Sequence, residues 1–184
     1  MPLINRVEHD LIDAEFLQPV DLVITDGDGT LFRHNSVDLL PGAEDYISNL
    51  KPNHLALVSA NPDKALAYAR ADVICADSVS IPRVKTWVKC GLFHHAISNV
   101  LDKEDVEMAA VLGNRWMMDV ALGRLALFRR NIPNNYGVFF RVEPTNEKFD
   151  ELVTGPLENL GAFIAKNTRL DTFIRPRKDD LAQV

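Results

Sequence analysis

Residues 21–31 read DLVITDGDGTL. Asp21–Thr25 is a short apolar run rich in β-branched residues. It stops abruptly at a Gly/Asp turn signal, the pattern of a strand buried on both faces. Two carboxylates, Asp26 and Asp28, follow at its carboxyl end, interleaved with Gly27 and Gly29.

Working outward, the same grammar repeats. HLALVS (His54–Ser59) is a second buried strand. Asn61, Pro62 and Asp63 then open a helix, with Asn61 as cap and Pro62 at the first helical position, running to about Ala71. DVICA (Asp72–Ala76) reads as a third strand. Ser80, Ile81 and Pro82 open another helix. MAAVLG (Met108–Gly113) is a fourth strand. Asp119–Arg130 carries Val120, Leu122, Leu125, Ala126 and Phe128 at helical spacing. YGVFFRV (Tyr136–Val142) is a fifth strand. Pro41–Leu50 is a short helix, and Glu147–Lys166 a last one weakened by Gly155 and Pro156. No internal repeat is visible.

Alternating strands and helices, with strands that are nearly continuous in apolar residues, predict an α/β fold. Its sheet is parallel and flanked by helices on both faces. The chain has 184 residues, enough for one domain with its own core. We expect that domain over residues 1–168, with 169–184 as an aperiodic tail. The net charge of -6 argues against nucleic acid as a partner. Cys75 and Cys90 make no disulfide framework, so a reducing compartment is expected. The first residues, MPLINRVEHDLIDAEF, are broken by charges and do not read as a secretory signal. No apolar run approaches the ~20 residues of a membrane span. The expected location is cytoplasmic, with a peripheral association at a membrane left open.

In open parallel sheets, ligands bind beyond the carboxyl ends of the strands. The residues there form a coherent set. Asp26 and Asp28 can share a hard cation such as Mg²⁺, which takes carboxylate oxygens together with water and substrate phosphate. A carboxylate can also attack phosphorus to give an acyl-phosphate, while a second one handles protons. The glycines let backbone N–H groups approach a phosphate. An acidic turn is the plainer reading of this stretch. A calcium loop would need Gly sixth and Glu twelfth, and counting from Asp26 those places hold Leu31 and Val37. Ser59, Ala60 and Asn61, at the second strand end, can bind phosphate through a hydroxyl and the N–H groups of a helix start. Ser59 taken alone is equally a cap or turn residue. Beyond the fourth strand, Asn114 and Asp119 add an amide oxygen and a carboxylate, although Asp119 can also be a helix cap.

DLVITDGDGTL, then LVSANP, then VLGNRWMMD resemble, in this order, the motifs of the haloacid dehalogenase (HAD) superfamily. The resemblance spans roughly Asp21 to Val142. It implies a Rossmann-like domain, Mg²⁺ as cofactor, Asp26 as nucleophile and Asp28 as general acid/base. It further implies Thr30 and Ser59 at the phosphate, and Asp26, Asp28, Asn114 and Asp119 around the metal. The run GNRWMMDV, followed by Ala121, Leu122 and Gly123, is most similar to the phosphatidylglycerophosphate phosphatase-like group. Two departures stand out. Asn114 replaces the family's usual Asp, which removes one negative charge. No Lys precedes Pro82; Lys85 is the nearest substitute for binding phosphate, with Lys89 one turn further.

The intervals from Asp26 to Ser59 and from Ser59 to Lys85 are filled by the expected helices and strands, so no cap domain is expected. In this family's terms an uncapped site suits a bulky substrate. The expected activity is therefore phosphomonoester hydrolysis through an aspartyl-phosphate, on a phosphorylated substrate that includes a lipid headgroup at a membrane surface. Arg124, Arg129, Arg130, Arg175, Arg177 and Lys178 are available for anionic headgroups, or are simply solvated. A soluble sugar or nucleotide phosphate is the alternative substrate, and a degenerate, non-hydrolysing binder the alternative function. His94 and His95 lack a ligand partner at suitable spacing and read as helix surface.

Overall fold

Five strands pair side by side and all in parallel, in the order β3-β2-β1-β4-β5. They are β1 (Leu22–Asp26), β2 (His54–Val58), β3 (Ser78–Ser80), β4 (Met108–Gly113) and β5 (Asn134–Phe139). Among the described residues three helices lie between them: α1 (Lys64–Val73), α2 (Cys90–Leu101) and α3 (Leu122–Arg129). A π-helical turn, Trp116–Ala121, leads into α3. This computed structural model describes residues 20–43, 52–85, 89–101, 105–132 and 134–139.

The period-2 alternation of a strand sends neighbouring side chains to opposite faces. Val23, Leu55, Leu57, Ala110 and Leu112 therefore face one way, onto Ala71 and Ile74 of the first helical segment and onto Leu31 and Phe32. Leu22, Ile24, Ala56, Val58, Ala109 and Val111 face the other way, onto Phe93, Ala96, Ile97 and Val100 of α2 and Ala126 and Leu127 of α3. With both faces covered, β1 is buried over its whole length. That is why the sequence shows an unbroken apolar run there instead of an alternation.

The chain moves from β1 outward to β2 and β3, then returns to place β4 on the other flank of β1. The reversal opens a crevice at the carboxyl end of β1. β1 and β2 are in register to their last residues, with Asp26 opposite Val58. Ser59 is thus beside Gly27, at the same sheet edge.

Several elements differ from expectation. The third strand is Ser78–Ser80, not Asp72–Ala76. Asp72 and Val73 complete α1, and Ile74 caps it by donating to the carbonyls of Arg70 and Asp72. Cys75 then turns left-handed, with φ 53°. The β-branched pair Val73–Ile74 belongs to the end of a helix whose Ile74 is buried, so its strand-like composition misled. The cap of α1 is Asp63, whose Oδ1 accepts from the Leu66 amide at 3.1 Å. Asn61 instead braces that cap, its Oδ1 accepting from the Asp63 amide at 3.0 Å. Ile81–Lys85 is irregular, and the helix expected from Ser80 starts at Cys90. The fourth helical region begins at Trp116 as a π turn, earlier than Asp119. The fifth strand starts at Asn134, and residues 140–142 lie outside the described set. So do most of the Pro41–Leu50 helix, the Glu147–Lys166 helix, the tail at 169–184 and hence the expected domain boundary at 168. Among the described residues, no helix is long and apolar enough to cross a membrane.

Candidate active site

The loop after β1 is a tight backbone knot. The Gly27 carbonyl accepts from the amides of Thr30, Leu31 and Phe32, and the Gly29 amide donates to the Phe32 carbonyl at 2.8 Å. Gly29 has φ 71°, a conformation that glycine adopts without steric cost. A β-carbon at Gly29 would also collide with the Asn114 amide. Glycine at this place therefore lets the loop after β1 close against the loop after β4.

At the end of β1, Asp26 meets a lysine. Lys89 Nζ donates to Asp26 Oδ1 and to Asp119 Oδ1, at 2.6 Å each. All three side chains are buried: 7% exposed for Asp26 and Lys89, and 0% for Asp119. Asp119 gets there because the π turn brings it back over the end of β4. A β-carbon at Gly113 would collide with the Asp119 side chain, and Asp119 Oδ2 accepts from the Arg115 amide at 3.0 Å. The triad ties together β1, the residue preceding α2 and the turn preceding α3.

One lysine offsets only one of the two carboxylates it touches. Burial pushes Asp26 up to about 7, against the pull of Lys89 and with the help of the Asp119 charge. Burial works against the Lys89 ammonium, but Asp119 and Asp26 overcome it and hold the group protonated beyond the ordinary lysine range. The cluster thus sets two carboxylates against one ammonium, and the strain is met by raising the proton affinity of Asp26. Among the described residues, nothing donates a hydrogen bond to Oδ2 of Asp26, which leaves that oxygen available.

Asp28 sits in a different environment. Its Oδ1 accepts from Arg70 Nη2 at 2.6 Å and from the Asn35 amide at 2.9 Å, and His34 Nδ1 lies 3.7 Å away. Burial would raise its pKa. The hydrogen bonds from Arg70 and Asn35 and the Arg70 charge outweigh that and hold it below the ordinary carboxylate range.

Asp26 and Asp119 thus converge through Lys89, Asn114 abuts Gly29, and Ser59 is buried at the adjoining strand end. Ser59 Oγ accepts from the Asn61 amide at 3.2 Å, so Ser59, Ala60 and Asn61 form a turn at that edge. Thr30 is buried within the first loop. Lys85 is not part of the site: it is exposed on the irregular segment before α2, and Lys89 is the lysine brought to Asp26. The reason is the late start of α2, which places Lys89, not Lys85, at the sheet edge. Arg124 is also removed from the surface set. It is buried, donating through Nε to Asn135 Oδ1 and through Nη2 to the Asn135 carbonyl. Arg129 and Arg130 are exposed. They end a helix that runs back from the carboxyl edge of the sheet, so they stand at the opposite edge from Asp26. His95 is exposed and its Nδ1 lies 2.9 Å from Ser80 Oγ.

Arg70 went unnoticed in the sequence. Its signal was there: it occupies the same helical face as Ala67, Ala71 and Ile74, all buried, where an aliphatic residue is expected.

The donors at this edge are oxygens, from Asp26, Asp28, Asp119 and Asn114, which is the chemistry a hard divalent cation takes. Among the described residues, no three acidic, histidine or cysteine side chains converge as a metal cage. Mg²⁺ does not need one, since it keeps several waters and takes one or two carboxylates. Comparison of the chain with protein families, with curated proteins and with solved structures finds no match.

Proposed function

We propose that this chain is a Mg²⁺-dependent phosphomonoester hydrolase of the HAD type, working through an aspartyl-phosphate on Asp26. The observation that carries the reading is the buried Asp26–Lys89–Asp119 triad at the carboxyl end of the central strand. A structural ion pair at such a place needs one carboxylate. Two carboxylates around one lysine leave Asp26 with one oxygen, Oδ2, to which nothing donates a hydrogen bond among the described residues.

In this reading Asp26 Oδ2 attacks phosphorus while Lys89 holds Oδ1 and fixes the carboxylate plane. The Ser59 hydroxyl and the Ala60 N–H donate to phosphoryl oxygens, with the Asn61 amide holding Ser59 Oγ in place and Thr30 supporting the first loop. Lys89 takes the phosphate-side role first expected of Lys85. Asp28 delivers a proton to the leaving oxygen and later removes one from the water that cleaves the acyl-phosphate. Asp26, Asp28, Asn114 and Asp119 are the residues to which Mg²⁺ would bind, where it would neutralise charge on the phosphoryl group.

The substrate class that fits best is an anionic phosphomonoester presented by a bulky body, with a lipid headgroup of the phosphatidylglycerophosphate kind as the leading case. Cationic side chains follow the strands at the carboxyl edge: Arg33 after β1, Arg83 and Lys85 after β3, Arg115 after β4. They favour a substrate bearing negative charge beyond the scissile group. A soluble sugar or nucleotide phosphate is the alternative. A non-hydrolysing binder is the second reading, favoured by Asn114, an amide where the resemblance implies a carboxylate.

The test is a phosphatase panel with and without Mg²⁺, on soluble esters and on vesicles containing the lipid monoester. The proposal expects Mg²⁺-dependent release of phosphate that Asp26→Asn abolishes. Hydrolysis retained in Asp26→Asn, or none from the unmodified protein on any ester, would overturn it.

A further inference from the structure

We propose that Arg70 is a positioning residue of this site, a clasp that sets where the Asp28 carboxylate stands. For its catalytic consequence the proposal rests on the phosphatase reading; the clasp itself does not.

Arg70 is 0% exposed, on the core-facing side of α1. Burying a guanidinium costs several kcal/mol unless its hydrogens are used, and an aliphatic side chain would fill the same space without that cost. Among the described residues, every side-chain hydrogen bond of Arg70 goes to one short stretch of chain, the segment that follows the nucleophile, while its buried Nη1 makes none. Nη2 donates to Asp28 Oδ1 at 2.6 Å and to the Arg33 carbonyl at 3.1 Å, and Nε donates to the Ser36 carbonyl at 2.7 Å. The guanidinium carbon is 5.2 Å from the centre of the Phe32 ring. A β-carbon on Gly27 would lie 3.1 Å from Nη1, so the same group also underlies the residue between the two aspartates. A planar fork is the side chain that can reach a carboxylate and two carbonyls at once.

Two more contacts complete the arrangement. The Asn35 amide takes Asp28 Oδ1 alongside Arg70, with Asn35 held left-handed at φ 52°. Asn61 Nδ2 donates to Asn35 Oδ1 at 3.4 Å, linking the segment to the turn that holds Ser59. Oδ1 of Asp28 is thus consumed by the clasp, and Oδ2 is the oxygen left to face a substrate. Arg70 is buried and touches no substrate; it acts through Asp28.

The test compares the unmodified protein with Arg70→Lys and Arg70→Met, reading two things. The first is the exchange rate of the Asn35 amide hydrogen by NMR, which reports the clasp without any activity. The second is turnover of two esters: para-nitrophenyl phosphate, whose leaving group needs little protonation, and glycerol phosphate, whose leaving group needs a well-placed acid. We expect the Asn35 amide to exchange at least ~10-fold faster in the variants. Turnover of glycerol phosphate should fall by about 10²-fold, the scale of positioned proton transfer, while para-nitrophenyl phosphate falls less than ~5-fold. Unchanged exchange at Asn35 would overturn the clasp. Equal losses on both esters would overturn the catalytic consequence, since a merely destabilised protein loses both alike. If Arg70→Met does not fold, Arg70→Lys carries the comparison. If the unmodified protein hydrolyses neither of these esters, Asn35 exchange alone decides the clasp; if it hydrolyses no ester of the panel above, the phosphatase reading fails as well.

Discussion

Lys89→Met removes the cation that bridges Asp26 and Asp119 while nearly preserving side-chain bulk. The structure sets the scale of the effect. Both contacts are 2.6 Å and all three side chains are buried, so water does not replace the lost partner. Removing one member of such a buried cluster costs about 3–5 kcal/mol, because the remaining charges stay buried without compensation. For a chain of this length each kcal/mol lowers Tm by roughly 2–4 °C, so a drop of about 6–20 °C is expected at neutral pH. The pH dependence separates this cause from simple loss of packing. Asp26 already titrates at about 7 with Lys89 present, because burial and Asp119 disfavour its charge. Without Lys89 the folded-state pKa of Asp26 moves further up. A carboxylate raised in the folded state contributes its stability below the ordinary carboxylate pKa of about 4, and that contribution is lost as pH climbs through the folded value. The variant should therefore trail the unmodified protein little near pH 4–5 and most above pH 7. Urea melts followed by circular dichroism across that range measure it. A deficit that is the same at every pH, or below about 1 kcal/mol at neutral pH, would refute the electrostatic account of the triad.

Three further outcomes follow from the same geometry. Gly29→Ala should destabilise by about 1–3 kcal/mol in a urea melt, since the backbone is left-handed and the new methyl meets Asn114. In the unmodified protein the Asp28–Arg70 pair contributes stability above the ordinary carboxylate pKa, which is lost as pH falls through the depressed value. Acid melts should show that slope, and Arg70→Met should erase it. Reversing Arg129 and Arg130 together to Glu, at the sheet edge opposite Asp26, should leave turnover within about 2-fold, whereas Arg83→Glu should weaken hydrolysis of a lipid monoester in vesicles more than that of a soluble ester.

Most of the sheet was legible because its strands are buried on both faces. β1, β2 and β4 are unbroken apolar runs, and their ends agree with the sequence reading to within a residue. β3 was not legible: Ser-Val-Ser has three residues and little apolar content, while the more strand-like Val73–Ile74 closes a helix and buries Ile74 in the core. The helix starts lie beyond the prolines that mark them in the sequence. Pro62 precedes the true cap, Asp63, and Pro82 lies in irregular chain well before Cys90. That displacement is the whole reason for the exchange of Lys85 with Lys89. The places of Asp26, Asp119, Asn114 and Ser59 were legible because strand ends in a parallel sheet share one edge. Arg70 was not legible, because helical periodicity is carried by apolar residues and a charge on the apolar face adds nothing to it.

The most direct measurement is chemical trapping of the nucleophile. The protein turning over a phosphomonoester with Mg²⁺ is quenched, treated with borohydride, and the peptide holding residue 26 is sequenced by mass spectrometry. Attack by Asp26 predicts reduction of that one side chain to the alcohol, dependent on substrate. Turnover with Asp26 unmodified, or with the label on another residue, would contradict it.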